Sequence, residues 1–163
     1  MAGVVYKIYH TSANGLPLGA EANLSKFKVI FFDIGLTQRI LNLDYSKHLL
    51  DTDIFLINNG TIAELFTALE LITYSNPREK ANIFYWHREN RSSNAEVDFI
   101  TVLDNEIIPV EVKSSATGSM KSLKIFMETK KSKFGIKISM SPYSFYNNVL
   151  SIPFYGIEEL VKG

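Results

Sequence analysis

The sequence predicts a mixed α/β domain, in which a helix, three strands, a second helix and a fourth strand surround a mixed sheet. Apolar runs of strand length alternate with segments of helical periodicity along the chain. A two-residue polar turn at 104–105 separates two apolar runs, as in a β-hairpin. Hydrophobic residues make up 46% of the 163 residues, which supports a buried core.

Residues 1–58 are predicted to form an N-terminal extension of strands and one short helix, packed on the core. Val4–Tyr9 and Phe27–Phe32 are apolar runs typical of strands. The chain then turns at Asp33, and Leu36–Leu43 has the pattern of a short helix.

The core is predicted to occupy residues 59–163, after a turn at Asn58-Asn59-Gly60 that marks the boundary. Its first helix and first strand lie at 61–74 and 82–87. The remaining predicted elements are a hairpin at 96–114, a helix at 119–131, strands at 135–140 and near 149–152, and a final helix at 157–161.

Composition excludes several classes of protein. The absence of cysteine rules out disulfides and cysteine-ligated zinc. Lysine plus arginine and aspartate plus glutamate both number 17, so no net charge points to a polyanionic partner. No apolar run approaches the ~20 residues of a membrane span, and no signal peptide precedes the first strand. We expect a cytoplasmic protein without a membrane partner.

The predicted hairpin gathers charged residues at one place. If residues 104–105 form the loop, paired positions sum to 209, which puts Asp98 opposite Glu111, and Lys113 projects from the same face two residues on. A loop at 105–106 would instead put Asp98 opposite Lys113. Either register brings two carboxylates and an ammonium together.

Glu64 in the predicted helix 61–74 has two interpretations. Thr61 and Glu64 fit a capping box, in which Glu64 reaches back to the first turn. On a helical wheel, however, Glu64 falls between Leu71 and Ala68, inside the apolar margin that faces the sheet. A carboxylate directed inward needs a partner, because a lone buried charge is costly.

These side chains suit a divalent cation. Mg²⁺ or Mn²⁺ prefers oxygen ligands, and Glu64, Asp98 and Glu111 are the candidate metal ligands, with the Val112 carbonyl as a further oxygen. Asp98, Glu111 and Lys113 are the candidate catalytic residues, because an ammonium beside the ion can stabilise charge on a phosphate. The alternative is a cross-strand salt bridge on an exposed sheet face, which the spacing alone favours and which is worth little.

A basic stretch follows the hairpin. Between Glu111 and Lys137 there are seven lysines and two glutamates. Lys121, Lys124 and Lys131 are candidate phosphate contacts for DNA or RNA. The alternative is a solvated helix face.

Asp98 followed by Glu111-Val112-Lys113 resembles the signature of the PD-(D/E)XK nuclease superfamily. The resemblance implies a restriction-endonuclease-like core of helix, three strands, helix and strand, with Glu64 as the upstream helical glutamate. Val97 stands where the motif's name has proline, and many members also lack that proline.

A narrower resemblance covers most of the chain. The order and spacing of its blocks are similar to the uncharacterised C-terminal domain of a family of prokaryotic AAA-type ATPases. The blocks are Phe27–Leu36, Gly60–Glu64, Ala68–Leu71, Phe84–Arg88, Glu96–Phe99, Ile108–Lys113, Lys121–Leu123 and Ile152–Tyr155. This chain has no G-x-x-x-x-G-K-[ST] motif, so we expect the ATPase module in a missing N-terminal part of the same protein.

Two functional hypotheses follow from these observations. The first is a magnesium-dependent phosphodiesterase that acts on DNA or RNA. The second is a nuclease-like module that binds nucleic acid or protein, or regulates the ATPase, without cleaving. The presence of all four candidate residues favours the first hypothesis, whereas the neutral net charge favours the second.

Overall fold

The computed structural model describes residues 4–40, 52–76, 78–88, 94–115 and 118–162. These residues form a mixed α/β domain with one eight-stranded sheet and four α-helices. The strands are β1 Val5–Thr11, β2 Ala22–Phe31, β3 Phe84–His87, β4 Glu96–Leu103, β5 Glu106–Val112, β6 Gly135–Ser139, β7 Ser144–Tyr146 and β8 Val149–Pro153. The helices are α1 Ile34–Ile40, α2 Thr52–Thr73, α3 Lys121–Lys130 and α4 Ile157–Lys162, with short 3-10 segments at Leu18–Glu21 and Phe154–Gly156.

The sheet is mixed, as predicted, and its strand order is β2-β1-β3-β4-β5-β6-β8-β7. The pairs β1–β3, β5–β6 and β6–β8 are parallel, and the other neighbours are antiparallel. The predicted succession of helix, three strands, helix and strand is observed as α2, β3, β4, β5, α3 and β6. The edge strand β7 was not among the predicted elements.

The predicted turn at Asn58-Asn59-Gly60 is wrong, because α2 runs without interruption from Thr52 to Thr73. One glycine in a helix costs only about 1 kcal/mol relative to alanine. Apolar residues stand on both sides of it in the sequence, at 54–57 and at 62, 63 and 65, so the local turn signal is outweighed. The end of the other predicted N-terminal helix, at 41–43, lies outside the described residues.

The two N-terminal strands continue the core sheet. Tyr9 pairs with Phe84 and His10 with Tyr85 in the parallel β1–β3 contact. β2 pairs with the other side of β1 and forms one edge of the sheet. Residues far apart in sequence, on β2 and β4, are thereby brought to the same part of the sheet.

Helices on both sides of the sheet bury its two faces. Leu65 and Leu71 of α2 belong to one core cluster with strand residues such as Val110. Phe126 of α3 is fully buried in the other cluster and meets the Trp86 ring edge-on, with centroids 5.2 Å apart. Truncating such an aromatic to alanine costs about 3–5 kcal/mol, so α3 is firmly attached to the sheet.

The described helices include none that combines the length and the apolar character required to span a membrane.

Candidate functional site

The β4–β5 hairpin has the predicted register. Asp104 and Asn105 form the turn with φ of 47° and 63°, the left-handed conformation that a type I′ turn requires of both residues. Leu103 pairs with Glu106, and the ladder continues in this register to Phe99 opposite Val110. Paired positions therefore sum to 209, which confirms the predicted loop and excludes the alternative at 105–106.

At the open end of the hairpin, a side chain replaces a backbone partner. Continued pairing would bring Val97 opposite Val112, but the Val112 amide donates to Oδ2 of Asp98 at 2.7 Å. The register of β4 against β3 also shifts between Phe84 and Trp86. A bulge of this kind re-aims side chains and ends regular pairing, which leaves the Asp98 carboxylate beside β5.

Glu111 and Lys113 form an ion pair beside Asp98. Nζ of Lys113 donates to Oε1 of Glu111 at 2.6 Å, and their side chains are 26% and 7% exposed. Oε2 of Glu111 is buried and has no hydrogen-bond partner in the part of the chain that the structure describes. A salt bridge is therefore present, as the alternative interpretation expected. The Glu111 carboxylate is buried, however, and does not lie on an exposed sheet face.

Gly118 packs against the stem of Lys113. A Cβ atom at position 118 would lie 2.9 Å from Cδ and 3.2 Å from Cγ of Lys113. Such distances are shorter than ordinary carbon–carbon contacts, so any larger residue would displace the lysine. The segment before α3 thus helps to direct Lys113 toward Glu111, a role that the sequence pattern did not reveal.

Glu64 is not a helix cap. Thr61 lies in the interior of α2, so the capping-box interpretation is excluded. The Glu64 carboxylate instead accepts from Nζ of Lys28 on β2 at 2.8 Å. The same ammonium lies 2.6 Å from Oε1 of Glu96 at the start of β4.

Sequence reasoning missed Lys28 and Glu96 as site residues. The available signal was Lys28 itself, a charged residue inside an apolar strand run. Lys28 lies two residues before Ile30 on the same strand, so the two side chains project from the same face of the sheet. Ile30 is a core residue that is only 5% exposed. A lysine at such a position requires a partner.

Burial and neighbouring carboxylates perturb the ionisation of Asp98. Burial, followed by the charges of Glu64 and Glu111, raises the pKa of Asp98 to about 7. The Val112 amide and Lys28 oppose this shift without cancelling it. The Asp98 carboxyl therefore keeps its proton to a higher pH than an exposed aspartate does.

The partners of Asp98 are perturbed in the same environment. Burial also raises the pKa of Glu111, although the ion pair with Lys113 opposes the shift. For Lys28, burial alone would lower the pKa, but the carboxylates of Glu64 and Glu96 outweigh it and the pKa lies above its ordinary value. Strongly perturbed groups gathered at one place are typical of functional sites.

The three candidate metal ligands differ in their contacts. Among the described residues, no three Asp, Glu or His side chains form a ready-made metal site. Asp98 and Glu111 carry oxygen ligands, and the unpartnered Oε2 of Glu111 is the kind of atom that a cation would satisfy. Glu64 is close enough for its charge to affect both carboxyls, but it is engaged by Lys28.

The candidate phosphate-binding lysines lie on the outer side of α3. Lys121, Lys124 and Lys131 are all exposed, whereas Leu123 and Phe126 on the inner side are buried. Lys121 and Lys124 border a shallow groove of about 350 Å³. The positions suit contact with a large polyanion but equally a solvated helix face.

The comparisons with known proteins identify a family without an assigned activity. No curated protein and no solved structure matches the chain. A family model described as "Domain of unknown function (DUF4143)" matches residues 59–155, from α2 to the 3-10 segment before α4. This match spans more than half of the chain and includes the whole hairpin, and the chain therefore belongs to the DUF4143 family.

Proposed function

We propose that this domain is a metal-dependent nuclease with a PD-(D/E)XK core, which hydrolyses phosphodiester bonds of DNA or RNA. The observation that carries the proposal is the open end of the β4–β5 hairpin. There Asp98 lies beside the Glu111–Lys113 ion pair, and a buried oxygen of Glu111 has no partner among the described residues. The order of elements from α2 to β6 is the one that this core requires.

Asp98 and Glu111 are the residues that would hold Mg²⁺ or Mn²⁺ in this proposal. Burial first, and then the charges of neighbouring carboxylates, raises the pKa values of both carboxyls, so a cation would offset an unfavourable electrostatic environment already present in the site. When bound, the ion supplies charge neutralisation of the phosphate and lowers the pKa of water. Glu64, the third candidate ligand, adds negative charge near this pair while it contacts Lys28.

Lys113 would act on the substrate phosphate. Its Nζ lies 2.6 Å from Oε1 of Glu111, and the lysine side chain is only 26% exposed. An ammonium fixed in a partly buried site stabilises negative charge that develops on a phosphate more strongly than it would in water. Gly118 leaves space for the stem of this lysine.

The link to an ATPase is a further part of the proposal. The blocks similar to the C-terminal domain of prokaryotic AAA-type ATPases include Phe27–Leu36, Glu96–Phe99 and Ile108–Lys113. All three contribute to the region around Lys28 and the hairpin. An ATPase module in the same protein would then deliver nucleic acid to this site.

Metal-dependent stabilisation and cleavage test the proposal together. Millimolar Mn²⁺ should raise the melting temperature of the wild type by mass action, and the same samples should cleave single- or double-stranded substrates. Glu111→Gln should lose both effects, whereas Lys113→Met should keep the Mn²⁺ shift and lose cleavage. Glu106→Gln, at the turn end of the same strand, is the matched control and should keep both.

The alternative is a module that binds nucleic acid or protein without cleavage. Reversing the charge of Lys121, Lys124 and Lys131 should weaken salt-sensitive binding of all nucleic-acid sequences alike. Salt-sensitive binding with neither a Mn²⁺ shift nor cleavage would favour the non-catalytic module. The absence of Mn²⁺ stabilisation, cleavage and nucleic-acid binding would contradict the nuclease proposal and favour a protein partner.

A further inference from the structure

Lys28 lies between two carboxylates that come from different elements. Its Nζ is 2.8 Å from Oε1 of Glu64 on α2 and 2.6 Å from Oε1 of Glu96 on β4, and its side chain is 21% exposed. The ammonium also lies 5.2 Å from the centre of the Tyr85 ring on β3. Lys28 therefore joins a helix to the sheet across the strands that separate β2 from β4.

The charges around Lys28 explain why a cation is needed at this position. Lys28 contacts Glu64 and Glu96 directly, so one ammonium is the shared counter-charge of two carboxylates. Lys113, the other lysine of the site, contacts Glu111 instead. Without Lys28, both carboxylates would lose this counter-charge, and the cost falls mainly on Glu64, whose side chain is 30% exposed against 52% for Glu96.

The geometry around Lys28 also resembles that of a bridging metal ion. One ammonium contacts one oxygen from each of two carboxylates, as a divalent cation would do. The two contacts, of 2.8 and 2.6 Å, are about 0.5–0.7 Å longer than the ~2.1 Å typical of Mg²⁺–oxygen ligands. Lys28, Glu64 and Glu96 line one groove of about 400 Å³, so an ion from solvent could reach this position.

We propose that Lys28 is the resident cation of this site, standing where a second divalent ion would otherwise bridge Glu64 and Glu96. The domain would then take a single divalent ion, at Asp98 and Glu111. That single ion rests on the proposed function, whereas the role of Lys28 rests only on its own contacts. Replacing Lys28 with a neutral residue should create a new metal site.

Calorimetric titration with Mn²⁺, paired with thermal unfolding, tests this role without measuring cleavage. Wild type should bind one Mn²⁺ per chain. Lys28→Met should lower the metal-free melting temperature by about 5–10 °C, which corresponds to a loss of a few kcal/mol in a domain of this size. It should bind two Mn²⁺ and regain most of the lost stability. Lys133→Met, which breaks an exposed 2.6 Å pair with Glu106, is the matched control and should still bind one.

Two more variants keep the test decisive if Lys28→Met does not fold. Lys28→Arg keeps the charge and should bind one ion. The double variant Lys28→Met with Glu96→Gln removes one carboxylate with the lysine, and it should fold and bind one ion. Two ions in wild type or in the double variant would overturn the proposal, as would a Lys28→Met protein with unchanged stability and stoichiometry.

Failure of this proposal is distinguishable from failure of the proposed function. If wild type binds no Mn²⁺, the nuclease proposal fails, but Lys28→Met should still gain one ion between Glu64 and Glu96. If wild type binds one ion and Lys28→Met gains none, the site at Asp98 and Glu111 stands and the resident-cation role of Lys28 is wrong.

Discussion

The two ends of the β4–β5 hairpin carry the same contact in different surroundings. Near the turn, Lys133 and Glu106 form an ion pair of 2.6 Å with side chains 73% and 41% exposed. At the open end, Lys113 and Glu111 form a pair of the same length with side chains 26% and 7% exposed. Burial, and not contact distance, therefore decides how much such a pair matters to the domain.

The two pairs differ in how much water surrounds their charged groups. Water competes for the charges of the exposed pair, so such contacts contribute about 0–1 kcal/mol. The buried carboxylate of Glu111 has given up most of its hydration and depends on Lys113. The exposed pair at the turn end therefore contributes little to stability, whereas the buried carboxylate at the open end is costly to leave without its partner.

The largest expected difference between the two ends is in pH dependence. The pKa of Asp98 is about 7 in the folded domain, against about 3.9 for an unfolded aspartate. The folded state therefore holds a proton at pH values where the unfolded chain has lost it. Without metal, this stabilisation is complete below pH ~4 and is lost as pH rises through ~7, by at most about 4 kcal/mol.

Urea unfolding at pH 4 to 8 would check this trend. Asp98→Asn should remove most of the fall and exceed the wild-type stability above pH 7, because the amide is neutral and can still accept from Val112. Asp104→Asn, in the exposed turn, should retain the wild-type profile. A wild-type profile that rises from pH 5 to 8 would show that Asp98 is not held protonated by burial.

The next prediction compares the two lysines directly. At pH 7.5, Lys113→Met should destabilise the metal-free domain by about 3 kcal/mol, because it leaves a buried carboxylate without its partner. Lys133→Met should cost less than about 1 kcal/mol. At pH 4 the cost at Lys113 should shrink, since protonated Glu111 no longer needs a cation. Equal costs for the two lysines in urea unfolding would contradict the comparison.

The arrangement at the open end of the hairpin was predictable in part, because some of its contacts join residues close in sequence and others join distant segments. The turn at residues 104–105 and the alternation of side chains predicted that Asp98 lies beside the strand of Glu111, because hairpin geometry is local. The helical wheel also placed Glu64 toward the sheet. These inferences needed no knowledge of how distant segments meet.

The residues that sequence reasoning missed depend on non-local pairing. Lys28 reaches Glu96 only because β1 pairs in parallel with β3, a contact between segments about 75 residues apart. The same pairing brings the rings of His10 and His87 to 4.4 Å, although the two residues are 77 positions apart in the sequence. The wrong turn at 58–60 had the opposite cause, a local signal that the longer helix α2 overrides.

The smallest expected effect is at the turn end, where only backbone conformation is at stake. Asn105 has a φ of 63°, which glycine adopts freely, asparagine tolerates and β-branched residues resist. Asn105→Val should destabilise the domain by about 1–2 kcal/mol, and Asn105→Gly should be neutral or slightly stabilising. Neither substitution should alter the pH profile that Asp98 produces, because the turn is five or more residues away along both strands. Unfolding curves for the two variants at pH 5 and 7.5 should therefore shift in parallel. A pH-dependent difference between the two curves would mean that the two ends of the hairpin are energetically coupled and do not behave independently.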